Sequence, residues 1–111
     1  MTEEQLQCKC FQWHWNEYPN ERRMLWHNNN NASSALQGAK NKARGVVAGV
    51  ADFTLVTDGG VVFIELKLPG ERQKPEQQNF EVKVLMKGAK YYIVYSFEEF
   101  KTLIQKLYGS N

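Results

Sequence analysis

The chain has 111 residues, 42% of them hydrophobic, and its 14 Lys plus Arg against 12 Asp plus Glu leave a formal net charge of +2. That length suits one domain with a single core, and the charge is too small to indicate nucleic-acid binding by itself. No apolar run approaches the ~20 residues of a membrane span, and Cys8 and Cys10 lack the Cys-x-x-Cys spacing of a zinc site.

The first segment, MTEEQLQCKC onward, reads as a helix. Thr2 with Gln5 makes a capping box, and Glu3 and Glu4 fall in the first turn, where the helix dipole favours anions. Glu4, Gln7, Phe11 and Trp15 recur at helical spacing, as do Leu6, Cys10 and Trp13, so both faces are expected to be covered. On a helix Cys8 and Cys10 point in different directions and cannot easily bridge, which makes reduced thiols in a reducing cytoplasm the expectation. The acidic, polar start is unlike a secretory leader. Pro19 ends the helix by disfavouring a helical Tyr18.

RRMLWH fits a short strand, interrupted by NNNN, since Asn side chains compete for backbone hydrogen bonds. ASSALQGAKNKARG reads as a modest helix or ordered loop closed by Gly45. Its Lys40, Lys42 and Arg44, with no acid among them, are either a solvated face or phosphate contacts. ADFTLVTD and VVFIELK are rich in β-branched and aromatic residues, and Gly59-Gly60 between them suits a tight hairpin turn. After LPGERQK, which carries Lys67, Arg72 and Lys74 against Glu71, a helix starts at Pro75 and runs to Gly88. KYYIVYS reads as a strand. Ser96 with Glu99 then caps a last helix whose Phe100, Leu103, Ile104, Leu107 and Tyr108 form one apolar stripe. This order predicts a mixed α/β domain with a central sheet of about four strands flanked by helices, the last strand returning parallel to the one holding Glu65.

The hairpin carries the unusual chemistry. Asp52 sits at its mouth, and Glu65 and Lys67 interrupt an apolar run, where ions are costly unless paired or bound. Residues two apart on a strand share a face, so Phe63, Glu65 and Lys67 point the same way. A two-residue Gly59-Gly60 turn sets Thr54 opposite Glu65 and Asp52 opposite Lys67, all on one face; a three-residue turn sends Asp52 to the other. Two carboxylates this close call for a cation between them, and Mg²⁺ is commonly held by one or two carboxylates with water and phosphate. Zinc fits less well, because neither His14 nor His27 has a partner at ligand spacing. Gln77 shares a helical face with Phe80 and Val84 and so points toward the core side, near the same patch.

In order and spacing, GVVAGVADFTLV, VFIELK, KPEQQNF and YYIVYSFEEFKTLI resemble the VRR-NUC family of the PD-(D/E)XK nuclease superfamily, over residues 3 to 105. The resemblance implies a restriction-endonuclease-like fold and a Mg²⁺- or Mn²⁺-dependent, structure-specific DNA endonuclease. It makes Asp52 and Glu65 the metal-binding acids, with the Leu66 carbonyl as a further ligand. Lys67 becomes the catalytic lysine, Gln77 the glutamine of the following helix, and Glu4 the first-helix acid of a Glu-x-x-Gln pattern, with Glu3 the runner-up. Ala51 stands where the family usually has Pro, and Lys74 where it often has Ser or Thr; HNNNN matches the His-x-x-Asn segment imperfectly and receives no role. Compact members of this kind, encoded by phages or bacteria, look like homodimers acting on four-way (Holliday) junctions, with Trp13, Trp15 and Trp26 available for either an interface or the core. Two other readings stand beside this one: a non-catalytic DNA-binding module with the same fold, and a structural ion pair of Glu65 and Lys67 facing solvent on an edge strand.

Overall fold

A computed structural model describes residues 1–28 and 34–109. Most of the NNNN run therefore lies outside the described residues. The elements are α1 (Glu3–Glu17), β1 (Leu25–His27), α2 (Ala35–Ala43), β2 (Phe53–Thr57), β3 (Gly60–Leu66), α3 (Pro75–Met86), β4 (Lys90–Val94) and α4 (Phe97–Leu107). The four strands form one sheet in the order β1-β2-β3-β4, with β1, β2 and β3 antiparallel and β4 parallel to β3. β3, which carries Glu65, is thus an interior strand, and this removes the reading of a solvent-facing ion pair on a sheet edge.

Helix ends follow the local chemistry. In α1 the Thr2 hydroxyl accepts the Gln5 N–H at 3.1 Å, and the Gln5 amide oxygen accepts the Thr2 N–H at 2.8 Å. α2 starts with the Ser34 hydroxyl accepting the Gln37 N–H, and α4 with the Ser96 hydroxyl accepting the Glu99 N–H. The Glu99 carboxylate reaches back one residue beyond the expected box, to the Tyr95 N–H. α3 has half a box. Lys74 offers no acceptor, but the Gln77 side chain accepts the Lys74 N–H at 2.8 Å.

One face of the sheet is dry. Leu25, Leu55 and Val62 align across three strands, as do Phe53 with Ile64 and Leu66 with Val94. All are buried in one cluster with Leu6 and Cys10 of α1 and Phe100 and Ile104 of α4. α1 is covered on this side only: Leu6, Cys10 and His14 are buried at i, i+4, i+8, while Trp15 is 38% exposed. His14, which the sequence reading left without a place, is 1% exposed and hydrogen-bonds the Tyr108 hydroxyl at 2.6 Å. Trp13 packs edge-on against Phe97 and Phe100, so it belongs to the core.

The opposite face carries Trp26, Thr54, Phe63 and Tyr91 in line. α3 covers part of it through Phe80, whose ring lies 5.1 Å from Phe63 and 6.3 Å from Tyr91. The polar residues gather here, at the start of β2 and the end of β3.

The hairpin turn differs from expectation by one position. Thr57 pairs with Gly60 and Val56 with Val61, so Asp58 and Gly59 form the turn, and Gly60, at φ 119°, opens β3 in a conformation that L side chains rarely adopt. Moving a two-residue turn by one position slides the register by two. Every side chain therefore stays on its expected face but meets a different partner.

Candidate active site

The corrected register decides which charges meet. Phe53 lies opposite Ile64, and one step further sets Asp52 opposite Glu65, where the expected partner was Lys67. The Asp52 carboxylate accepts the Leu66 N–H at 2.7 Å, which ties the mouth of β2 to the end of β3. Burial pushes the Asp52 pKa up and the Glu65 charge adds to this; the Leu66 N–H, His27 and Lys67 oppose it.

Glu65 is 1% exposed and Lys67 5%. One Glu65 oxygen, Oε1, accepts from the Tyr91 hydroxyl and from Gln73 Nε2 at 3.1 Å. The other, Oε2, lies 3.8 Å from Lys67 Nζ and has no hydrogen-bond donor; among the described residues no other buried side-chain polar atom is left this way. An unsatisfied buried carboxylate oxygen costs about 1–3 kcal/mol or more, so its persistence asks for a reason.

A cleft of about 610 Å³ opens beside these groups. Asp52 and Lys67 form part of its wall, along with Glu3 and Glu4 from the start of α1 and Gln77 from the start of α3. Glu65 is not part of that wall. The loop before β2 completes it at Gly49 (φ 82°), where a Cβ would lie 2.3 Å from the Glu76 carbonyl oxygen. Only glycine lets this loop approach the first turn of α3 so closely.

No protein-family model matches the sequence. Nor does any curated protein. A solved structure described as a "VRR_NUC domain protein" superposes with a TM-score of 0.82 over 96% of this chain and 88% of that one, at 18% identity. The chain has the VRR-NUC fold.

Within that fold, Asp52, Lys67, Gln77 and Glu4 converge on one cleft, with Glu65 buried beside it and the Leu66 backbone between Glu65 and Lys67. Gln77 is half-buried and its side-chain oxygen caps its own helix. Of the two first-helix acids, Glu4 is exposed, whereas Glu3 is half-buried and electrostatically coupled to the site. Burial first, then the charges of Asp52 and Glu71, raise the Glu3 pKa, with Lys67 opposing.

Three structural partners were not visible in the sequence. Asn28 brackets Asp52: its N–H donates to the Asp52 carbonyl at 2.8 Å, and its amide donates to the Ala51 carbonyl at 3.1 Å and the Thr54 hydroxyl at 2.7 Å. Tyr91 and Gln73 hold Glu65. Burial, and then the bond to Glu65, raises the Tyr91 pKa and keeps its hydroxyl a donor. The signal for Tyr91 was its position on a strand beside β3; for Asn28 and Gln73 no local signal exists.

The donor set fits a hard cation. Among the described residues no three His, Cys, Asp or Glu side chains stand close enough to hold one ion. An ion here would rest on two carboxylates at most, completed by backbone oxygen, water or phosphate, as is usual for Mg²⁺ or Mn²⁺. The orphaned Glu65 Oε2 beside Asp52 and Lys67 supplies the acceptor such an ion needs.

Proposed function

We propose that the protein is a VRR-NUC family nuclease, a Mg²⁺- or Mn²⁺-dependent DNA endonuclease that hydrolyses phosphodiester bonds in branched DNA. The observation that carries this reading is the pairing of Asp52 with a buried Glu65 whose Oε2 has no donor, next to a Lys67 ammonium on the wall of a cleft. Asp52, Glu65 Oε2 and the Leu66 carbonyl would hold the ion. The chemistry supplied there would be a lowered pKa of a bound water and stabilisation of charge building on the phosphate.

The chain's own groups supply the rest. Lys67 is held with its ammonium near Glu65, so its charge is in place before DNA arrives and faces the phosphate from a site poor in water. The Leu66 N–H orients Asp52, and Asn28 fixes the backbone on either side of it. Gln77 lines the cleft and keeps the start of α3 rigid, and Glu4 or Glu3 closes the opposite wall with a carboxylate. Exposed Lys40 and Lys42 on α2, Arg44 at its C-terminal cap, Lys74 on the cleft wall and Arg72 in the loop before α3 are available for DNA phosphates.

Selectivity for branched DNA would then come from shape and backbone contacts rather than from base readout. Cutting two symmetry-related strands of a four-way junction requires two sites, which a C2 homodimer supplies. Trp15 and Trp26, 38% and 43% exposed, offer aromatic surface for such an interface.

The test is cleavage of labelled four-way junction, flap, nicked and linear duplex DNA in Mg²⁺, Mn²⁺ and Ca²⁺. Wild type is expected to cut branched DNA in Mg²⁺ or Mn²⁺. Asp52→Ala, Glu65→Ala and Lys67→Ala are expected to bind it without cutting. Normal cutting by these variants overturns the site, and salt-sensitive binding without products in any metal favours the non-catalytic module.

A further inference from the structure

We propose that Tyr91 and Gln73 are positioning residues that fix the Glu65 carboxylate through Oε1 and thereby reserve Oε2 for the cation. This rests on the metal-dependent reading above and extends it to two residues outside the expected site.

The two oxygens of Glu65 live in different surroundings. Oε1 accepts from the Tyr91 hydroxyl and from Gln73 Nε2, whereas Oε2 has no hydrogen-bond donor and lies 3.8 Å from Lys67 Nζ. Gln73 is itself anchored, since the same Nε2 also donates to Glu81 Oε1 at 3.0 Å. Both partners are carboxylates, which only accept, so the nitrogen end of the amide is the one that faces them. β4, the loop before α3, and α3 thus fix one oxygen together. Rotating the carboxylate plane away from this orientation would break the Tyr91 and Gln73 bonds together. If these residues served only to satisfy a buried acid, the vacant oxygen would be an unexplained cost; as supports of a metal ligand, they leave vacant the oxygen that the ligand role requires.

The experiment is Mn²⁺ binding without DNA, followed by the EPR signal of free Mn²⁺, for wild type, Tyr91→Phe, Gln73→Ala and Glu65→Gln. The same proteins are assayed for cleavage against Mn²⁺ concentration. Tyr91→Phe is expected to weaken Mn²⁺ binding about 10-fold or more, as loss of a partner behind a metal ligand commonly does, with Gln73→Ala in the same direction. The Mn²⁺ concentration for half-maximal cleavage should rise in step, while the rate at saturating Mn²⁺ stays close to wild type. A folded Tyr91→Phe with wild-type Mn²⁺ affinity, or one that loses rate at saturating metal without losing affinity, overturns the positioning role and leaves the metal reading intact. Failure of wild type itself to bind Mn²⁺ overturns both. Should Tyr91→Phe not fold, Gln73→Ala, at a half-buried loop position, decides the matter by the same criteria.

Discussion

The two faces of the sheet solve opposite problems with the same strands. Toward α1 and α4, Phe53, Leu55, Val62, Ile64 and Leu66 bury apolar surface without any polar requirement. Toward α3, alternate residues of the same strands bring Glu65 and Lys67 out of water, and Asp52 nearly so. One face gains from every added contact. The other retains crowded acids and an orphaned oxygen, a cost that makes sense where function requires it.

The largest contrast is expected from truncation on the dry face. Phe100, fully buried with its ring 5.9 Å from Phe53, should lose about 3–5 kcal/mol on Phe100→Ala, read from the urea midpoint. Equal stability in the variant would break the comparison at its strongest point.

Acid should separate the faces by sign. Burial lowers the His14 pKa to about 4, so His14 is neutral in the folded protein while the unfolded chain takes up a proton below about 6.5. Its contribution is fully present above 6.5 and is lost as pH falls toward 4, up to about 3 kcal/mol. Asp52 and Glu3 have raised pKa values, so the folded state takes up their protons before the unfolded chain does. Their effect is a gain in stability as pH falls through those raised values, levelling off below the ordinary carboxylate values of 3.8 and 4.5. Melting curves of His14→Gln should therefore lose the decline between pH 6.5 and 4 that wild type shows; an unchanged decline would place the sensitive group elsewhere.

The smallest expected shift is the most diagnostic for the polar face. Asp52→Asn keeps an acceptor for the Leu66 N–H but removes a desolvated charge beside Glu65. Without metal it should melt at or slightly above wild type, and it should lose the stabilisation that Mn²⁺ gives wild type. A substantially less stable apo variant would mean that Asp52 is a structural anion.

How far the sequence could be read follows the same division. α4 was legible because its stripe and its Ser96 cap are local, and β2 and β3 because alternation and a Gly-rich turn are local too. Asp58-Gly59-Gly60 offers two places for a tight turn, so the direct partner of Asp52 was misassigned, although its face was right because the slip was two residues. His14 completes the i, i+4, i+8 series begun by Leu6 and Cys10, a pattern hidden by the polar identity of the residue. The supports of the site were not legible. Asn28 meets Asp52 across 24 residues of chain and Tyr91 meets Glu65 across 26, distances over which no periodicity carries information. Glu3 and Glu4 are adjacent on one turn, and only the packed fold shows that Glu3 is the one coupled to Asp52.

The central claim is that the hairpin register brings Asp52 and Glu65 together around one cation. Anomalous diffraction from Mn²⁺-soaked crystals tests it most directly. The account predicts a single strong peak within coordination distance of both carboxylates, lost in Asp52→Ala; a peak away from Glu65, or none at saturating Mn²⁺, would contradict it.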